Sequence, residues 1–385
     1  METGKRINVK IESIAFGGEG IARVNNRVVF IRNVVDGETV EVEIMEERKN
    51  FLKAKLISIE GKSPFRIDPP CPYYSECAGC QYQHIDYNHQ LDIKRKQVGE
   101  TIKHIAKIDL PVGSLIPSPE TYNYRRLLEF HSLQNTTGFY TYNNKTIVGV
   151  DNCMLGEDKI NEYYKNLKKK DEPLSSSFRI ILDDSGEAYS TITDKKKILN
   201  YHVMGTKFFV PINSFFQTNR SLLEKMAETV INYSGAEKDE VFFDCFSGVG
   251  FFSVFLAGKA ARVYGFEEGY EASEIASQNA LINGIKNFVS IQGKTEKKLP
   301  KLLKEIIPDT IILDPPRVGC HPDILELTGR HKIKKIVYVS CNPSTLARDI
   351  VILKGFGYEL KKVQPIDMFP QTSHIEVVSL LELIS

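Results

Sequence analysis

The cysteine best suited to covalent chemistry is Cys341, at the junction of a predicted strand (336–340) and a predicted helix. Pro343 favours the first turn of a helix and Ser344 its cap. The dipole at a helix N-terminus stabilises a thiolate, so we expect the pKa of this thiol to be lowered. The pattern therefore predicts that Cys341 is a nucleophile, whereas Cys245 and Cys320 are expected to be ordinary packing or loop residues.

A glycine turn follows the predicted strand 241–246 and precedes a predicted helix. Gly248 and Gly250 allow the backbone to approach a ligand, and Glu267, at the end of the next strand, is placed to bind ribose hydroxyls. The loop lacks the third glycine of a dinucleotide motif, and Asp244 suits a ligand that carries an amino group. These features favour S-adenosylmethionine over NAD, with simple turn glycines as the remaining alternative.

A methyl donor together with a nucleophilic cysteine defines a class of reaction. Carbon 5 of uracil is too weak a nucleophile to attack a sulfonium methyl group, but addition of a thiolate to carbon 6 creates an enolate that can. A base must then remove the proton from carbon 5 before the thiolate leaves. We expect that base to be Glu376. His374 is the rival base, and an ordinary surface role is the other alternative for Glu376.

Four further cysteines have the spacing of a ligand set. Cys71, Cys77 and Cys80 lie close together in a proline-rich segment, and Cys153 follows later in the chain. Four thiolates bind either zinc or an iron–sulfur cluster, and spacing alone does not distinguish the two. Exposed reduced thiols are reactive, so we do not expect this group to be accidental.

The elements that must position these side chains change in character along the chain. Residues 4–59 alternate as short strands with glycine turns, which predicts a small OB-like barrel. Residues 91–106 have helical spacing, and 112–235 indicate mixed α/β structure. After about 236, strands alternate with helices, which predicts a doubly wound, mostly parallel α/β sheet. The predicted strands of this last segment are 241–246, 263–267, 288–292, 310–313 and 336–340, with two late strands near 358–366 and 374–383.

The composition excludes several classes of protein. The chain has 385 residues, of which 42% are hydrophobic and 26% charged, so neither a disordered nor a collagen-like chain is expected. No apolar run is long enough to span a bilayer, and we expect a cytoplasmic protein that does not contact membranes. The formal net charge of +1 argues against a strongly basic surface that coats nucleic acid without specificity.

Three motifs stand out in the C-terminal half: Asp314-Pro315-Pro316-Arg317, the segment from Ser340 to Asp349, and the segment from Phe369 to Glu376. Together they make the chain resemble the RNA uracil-5-methyltransferase family. The resemblance extends over nearly the whole chain, and residues 1–59 look like the TRAM domain of that family, a small RNA-binding barrel. In this family some members act on 23S ribosomal RNA and others on transfer RNA.

The resemblance implies a role for each candidate residue. Cys341 would be the nucleophile and Glu376 the proton acceptor, and the four cysteines would hold a [4Fe–4S] cluster, with zinc as the alternative. It also implies a TRAM-like barrel over 1–59, a central α/β domain over 60–235 and a Rossmann-like methyltransferase domain over 236–385. The residues expected to bind S-adenosylmethionine are Gln217, Phe246, Gly248, Gly250, Glu267 and Asp314.

The expected function is formation of 5-methyluridine, with 23S ribosomal RNA as the favoured substrate and position 54 of transfer RNA as the first alternative. An RNA cytosine-5 methyltransferase is the next alternative, although position 316, where that class often carries cysteine, is proline. A noncatalytic RNA-binding assembly factor comes last, because a pure binder would not need both Cys341 and Glu376. We expect the protein to be a monomer.

Overall fold

The N-terminal part of the chain is a small β-barrel in a computed structural model that describes residues 3–169 and 175–384. Its six strands follow the order β1-β5-β6-β4-β3-β2, and alternate side chains of β5 are buried in the barrel core. The short strands predicted over 4–59 are present. The strands are β1 Arg6–Lys10, β2 Ser13–Ile14, β3 Gly20–Val24, β4 Arg27–Ile31, β5 Thr39–Glu47 and β6 Phe51–Gly61.

An irregular segment that carries Cys71, Cys77 and Cys80 leads from the barrel into the long helix α1, Tyr87–Ala106. Asp86 caps this helix by accepting hydrogen bonds from the backbone N–H groups of Asn88 and His89. The helix ends at Lys107, which adopts the left-handed conformation. The helix predicted at 91–106 is therefore confirmed and begins one turn earlier.

The middle of the chain forms two smaller antiparallel sheets. A five-stranded sheet has the order β11-β10-β7-β8-β9 and packs against α2, and β12 pairs with β13 as a separate hairpin. A short 3-10 turn at Arg220–Leu222 leads into the next helix, α3. The elements are β7 Leu127–Leu133, β8 Thr136–Tyr140, β9 Ile147–Gly149, α2 Asp158–Lys168, β10 Ser177–Leu182, β11 Ala188–Ser190, β12 Ile198–Val203, β13 Thr206–Pro211 and α3 Leu223–Ser234.

The C-terminal part is a seven-stranded sheet in the order β16-β15-β14-β17-β18-β20-β19. The first five strands in this order are parallel, and β20 runs antiparallel between β18 and β19. The elements are β14 Val241–Cys245, α4 Phe251–Ala257, β15 Arg262–Glu267, α5 Tyr270–Ile282, β16 Phe288–Gln292, α6 Thr295–Leu302, β17 Thr310–Leu313, α7 Pro322–Arg330, β18 Lys335–Ser340, α8 Pro343–Lys354, β19 Tyr358–Ile366 and β20 Glu376–Leu383.

Helices cover both faces of this sheet, which confirms the predicted doubly wound α/β class. Helices α3, α4 and α5 pack on one face, where Met226, Phe252 and Ile275 are buried. Helices α1, α6, α7 and α8 pack on the other, so α1 belongs to the core of the C-terminal sheet although it lies far away in sequence. None of the helices in the described residues combines the length and the apolar character that a membrane crossing requires.

Candidate active site

A cavity of about 660 Å³ opens at the carboxyl edge of the parallel strands. Ligands of open α/β sheets bind at this edge, because the loops that leave the strand ends meet there. Six loops contribute residues to the cavity: four follow the parallel strands β14, β15, β17 and β18, and two come from outside the parallel strands. The sequence-predicted residues that line it are Gln217, Phe246, Gly248, Glu267, Asp314, Cys341 and Glu376.

Cys341 lies between β18 and α8, and its thiol faces the cavity. Pro343 begins the helix as predicted, but the cap is Asn342, whose side-chain oxygen accepts a hydrogen bond from the backbone N–H of Ser344 at 3.0 Å. The expected lowering of the thiol pKa is wrong. Burial and the neighbouring carboxyl of Glu376 raise it to about 11, because they outweigh the helix dipole and the Arg317 guanidinium.

Glu376 is the first residue of β20 and is 5% exposed. Burial and the negative charge of Asp314 raise the pKa of its carboxyl well above the usual range, against the opposing effect of Arg317. His374 lies beside it, with its ring Nε2 3.4 Å from an Arg317 guanidinium nitrogen. Burial and the positive charge of Arg317 lower the pKa of His374 to about 4. The carboxyl of Glu376 is thus a stronger base than the imidazole.

The glycine loop is held by Glu267. Its carboxylate accepts hydrogen bonds from the backbone N–H of Gly248 at 2.9 Å and of Gly269 at 2.7 Å. The two carboxylate oxygens of Glu267 therefore hold the glycine loop in place, and the same side chain still borders the cavity. Gly250 does not line the cavity. It has a φ of 83°, and an added Cβ would lie 3.2 Å from the Cβ of Ala276, so its function is to turn the chain and allow α5 to approach.

Several buried polar atoms near the glycine loop have no hydrogen-bond partner among the described residues: the Oε1 of Gln217, the Oδ1 of Asp244 and the Oγ of Ser247. Burial raises the pKa values of the Asp244 and Asp314 carboxyls to about 7. Buried acceptors without partners are costly unless a ligand satisfies them. A ligand with a positive charge and hydroxyl groups fits this set of donors and acceptors, as S-adenosylmethionine would.

Sequence reasoning did not assign a role to several residues at the cavity rim. Phe215 and Tyr270 are 72% and 66% exposed and flank the opening. Arg317, from the loop after β17, contacts His374 and accepts a hydrogen bond on its backbone oxygen from the Asn342 side chain at 3.2 Å. The available signal was position: Arg317 is the last residue of the Asp314–Arg317 motif, and Tyr270 follows Glu267 by three residues.

The four clustered cysteines also lie together, although in a separate site. Cys71, Cys77, Cys80 and Cys153 line a cavity of about 60 Å³ whose other walls are largely apolar and aromatic. Burial raises the pKa of Cys77 to about 11 and that of Cys80 to about 12. The half-buried Arg125 guanidinium borders the same cavity and opposes these shifts.

The chemistry of this donor set, four thiols in an apolar pocket next to one cation, fits an iron–sulfur cluster. Within 3–169 and 175–384, however, no group of three or more Cys, His, Asp or Glu side chains is arranged so that it could hold a metal ion. The cysteines that were predicted to form one site are therefore brought to one cavity but not into a coordination sphere. Cys245 and Cys320 are buried in the core of the C-terminal sheet.

Comparisons with known proteins agree with this architecture. Residues 190–384 match the family model described as tRNA (uracil-5-)-methyltransferase, and residues 1–57 match the TRAM domain. An uncharacterized RNA methyltransferase of Caldanaerobacter subterraneus subsp. tengcongensis is 34% identical over 99% of each chain. One of Aquifex aeolicus is 33% identical over 98% of this chain and 99% of its own.

A solved structure is similar along the full length. The tRNA (uracil-54, C5)-methyltransferase of Pyrococcus abyssi, in complex with S-adenosyl-L-homocysteine, superimposes with a TM-score of 0.74 at 25% identity, covering 97% of this chain and 100% of its own. With the matches at both ends of the chain, this likeness confirms the predicted fold and enzyme class. The chain belongs to the tRNA (uracil-5-)-methyltransferase family and is an S-adenosylmethionine-dependent RNA methyltransferase with an N-terminal TRAM domain.

Proposed function

We propose that the protein forms 5-methyluridine in 23S ribosomal RNA, with Cys341 as the nucleophile and Glu376 as the proton acceptor. The observation that carries this proposal is that a thiol and a buried carboxyl of raised pKa border one cavity with Asp314 and Glu267. Each domain expected from the sequence has its own role in this proposal. Residues 1–59 bind RNA, residues 60–235 contain the four-cysteine cavity, and residues 236–385 catalyse methyl transfer.

The chain's own residues perform addition and elimination. The Cys341 thiol, which is half-buried, releases its proton to solvent, and the thiolate sulfur bonds to carbon 6 of uracil, which makes carbon 5 nucleophilic. S-Adenosylmethionine, when bound, supplies the methyl group that carbon 5 receives, and Gln217, Phe246, Gly248, Glu267 and Asp314 would hold it, with Gly250 shaping the loop. Glu376 then accepts the proton of carbon 5, and the bond between sulfur and carbon 6 breaks to return the thiolate.

Two variants test these roles. Cys341→Ala should lose methyl transfer but still bind RNA, because no covalent adduct can form. Glu376→Gln should accumulate a covalent protein–RNA adduct, because elimination needs the base. With RNA from a strain lacking the protein, denaturing gels would reveal the adduct of Glu376→Gln, while a methyl-transfer assay and native gels would reveal the lost transfer and the retained binding of Cys341→Ala. Rapid turnover by Glu376→Gln would remove Glu376 from the role and leave His374 as the base.

The RNA substrate has two candidates. The combination of the TRAM domain with the four-cysteine cavity is the reason to favour 23S ribosomal RNA. The similarity along the full length to a tRNA (uracil-54, C5)-methyltransferase favours position 54 of transfer RNA as the second candidate. Mass mapping of methylated uridines in ribosomal and transfer RNA from a strain lacking the protein distinguishes them, and loss of 5-methylcytidine instead would support the cytosine alternative.

We further propose that Cys71, Cys77, Cys80 and Cys153 bind a [4Fe–4S] cluster. The support is an all-thiol donor set in a largely apolar cavity. Protein purified without oxygen should show the broad visible absorbance of thiolate bound to iron, together with iron and sulfide. Cys80→Ser should lose both, whereas Cys320→Ser, a buried cysteine elsewhere, should retain them. A colourless protein that contains zinc would contradict the proposal.

A further inference from the structure

The loop between β19 and β20, residues 367–375, carries His374 and leads directly into Glu376. We call it the catalytic loop. Ile366 and Glu376 are partners in the antiparallel register of the two strands, so the loop begins and ends at one position of the sheet. Its conformation therefore determines where the Glu376 carboxyl lies relative to Cys341.

The first anchor of the catalytic loop is a buried ion pair with helix α1. The Lys94 ammonium donates to the Asp367 carboxylate at 2.5 Å and to the backbone oxygen of Phe369 at 3.0 Å. Both charged side chains are fully buried. The Tyr87 hydroxyl, about two helical turns earlier, donates to the other Asp367 oxygen at 2.9 Å. The loop is thus held at two of its residues by one cation.

The second anchor is at Gln371, which has a φ of 67°. This left-handed conformation costs free energy for a residue with a side chain, so it persists only where surrounding contacts enforce it. The Gln90 amide exchanges hydrogen bonds with the Gln371 side chain at 2.9 Å and with its backbone N–H at 3.1 Å. The backbone oxygen of Gln371 accepts from the N–H groups of Gln81 and Tyr82.

These contacts all come from residues 81–94, in α1 and the segment before it, and none of them comes from the C-terminal sheet. A fully buried lysine is costly to desolvate, and its pairing with one carboxylate offsets that cost only in one geometry. A buried pair of this kind therefore specifies a position more than it adds stability. The loop that carries Cys341, in contrast, is held by the Asn342 side chain, which donates to the backbone oxygen of Arg317. The hydrogen bonds of Lys94 go to Asp367 and Phe369 instead.

We propose that Lys94 is a positioning residue for proton removal: its ion pair with Asp367 and its bond to Phe369 hold the catalytic loop so that Glu376 faces the reacting base. This inference rests on the proposed role of Glu376. Helix α1 would therefore affect proton removal and elimination, whereas addition of the thiolate would depend on the loop that carries Cys341.

The experiment compares formation and decay of the covalent adduct in Lys94→Met. Full-length protein is mixed with methyl-labelled S-adenosylmethionine and unmodified RNA from a strain lacking the protein, and the labelled protein–RNA adduct is followed after a single turnover. We expect decay to be about 10- to 100-fold slower, because a shift of roughly 1 Å at a reacting group has that cost, while formation changes by no more than about twofold.

The matched control is Lys96→Met, an exposed lysine on the same helix, which should match the unaltered protein in both rates. Lys94→Met leaves the Asp367 carboxylate buried without its cation and could fail to fold. Lys94→Met combined with Asp367→Asn removes both charges, so it keeps the fold while still losing the anchor. Slow decay of the adduct in that double variant supports the proposal.

Two results would overturn the inference. One is decay at the normal rate in the folded double variant. The other is equal loss of adduct formation and decay, which a general structural defect produces. Glu376→Gln in the same assay separates this inference from the proposed function. If Glu376→Gln traps the adduct and the Lys94 variants do not, only the inference fails. If Glu376→Gln releases product normally, the role of Glu376 fails as well.

Discussion

At the scale of single residues, two effects of opposite sign act on the Cys341 thiol. The start of α8 favours a thiolate, whereas burial and the carboxyls of Glu376 and Asp314 disfavour it. Burial and the two carboxyls have the larger effect, so the pKa of the thiol is raised. The sequence allowed the helix start to be predicted because Pro343 lies two residues after the cysteine. It did not predict the direction of the pKa shift, because the two carboxyls come from other strands and their distance from the thiol depends on the tertiary fold.

The raised pKa predicts slow alkylation of Cys341 at neutral pH. Only the thiolate reacts with iodoacetamide, so the rate at this cysteine should rise about tenfold per pH unit from neutral pH toward 9. Peptide mass spectrometry measures the rate for this residue alone. Glu376→Gln should react faster wherever the Glu376 carboxyl is ionised, because it removes a neighbouring negative charge. A rate independent of pH above neutrality would contradict the prediction.

At the scale of elements, alternation of apolar strands and helices was enough to predict the C-terminal sheet. The five parallel strands lie where the pattern placed them because each is a short apolar run followed by a helix. Contacts between distant elements were not predictable in this way. Helix α1 packs against α8, and Phe246 adopts a φ of 67° directly after β14, although neither has a signature in local spacing.

The cap of α8 gives a prediction at this scale. Asn342→Ala removes the bond to the Ser344 N–H and the bond to the Arg317 oxygen. We expect a loss of about 1 kcal/mol in the free energy of unfolding, as for other caps. Adduct formation should also slow, because Cys341 is the adjacent residue. Chemical denaturation and single-turnover assays measure the two effects.

Ser344→Ala is the matched control for the cap, since Ser344 is the residue that the sequence favoured as the cap. Its hydroxyl is not the capping group, so the free energy of unfolding should change by less than about 0.5 kcal/mol. Equal destabilisation by the two variants would mean that Asn342 does not cap the helix.

At the scale of the whole molecule, helix α1 connects parts that are far apart in sequence. The Gln97 amide donates to the backbone oxygens of Ile14 and Ala15 in the barrel, and Lys94 and Gln90 bind the catalytic loop. Gln81, directly after Cys80, donates its backbone N–H to the same loop. Hydrogen bonds from α1 and from the segment just before it therefore connect the barrel, the four-cysteine cavity and the catalytic loop. Motif spacing revealed each site separately but carried no information about these connections.

The barrel is also attached through Glu38, which is fully buried and binds the Arg66 guanidinium at 2.5 and 2.8 Å. Burial alone would raise the pKa of Glu38, but Arg66 and the N–H groups of Val35 and Ser63 lower it below the ordinary 4.5. A carboxyl with a lowered pKa stabilises the folded protein above its unfolded pKa, and that stabilisation is lost as the pH falls through the folded value. The contribution is therefore complete at neutral pH.

Arg66→Met should cost about 3 kcal/mol at pH 7, because it leaves the Glu38 carboxylate buried without its partner. The loss should shrink toward pH 4, where the unpaired carboxyl takes up a proton. Hydrogen exchange should show faster opening at the backbone N–H groups of Val35 and Glu38, while amides in β14 stay protected. Arg48→Met, which removes an exposed ion pair with Glu46, is the matched control and should have little effect. A loss that is independent of pH, or equal in the two variants, would mean that the Arg66–Glu38 pair does not hold the barrel in place.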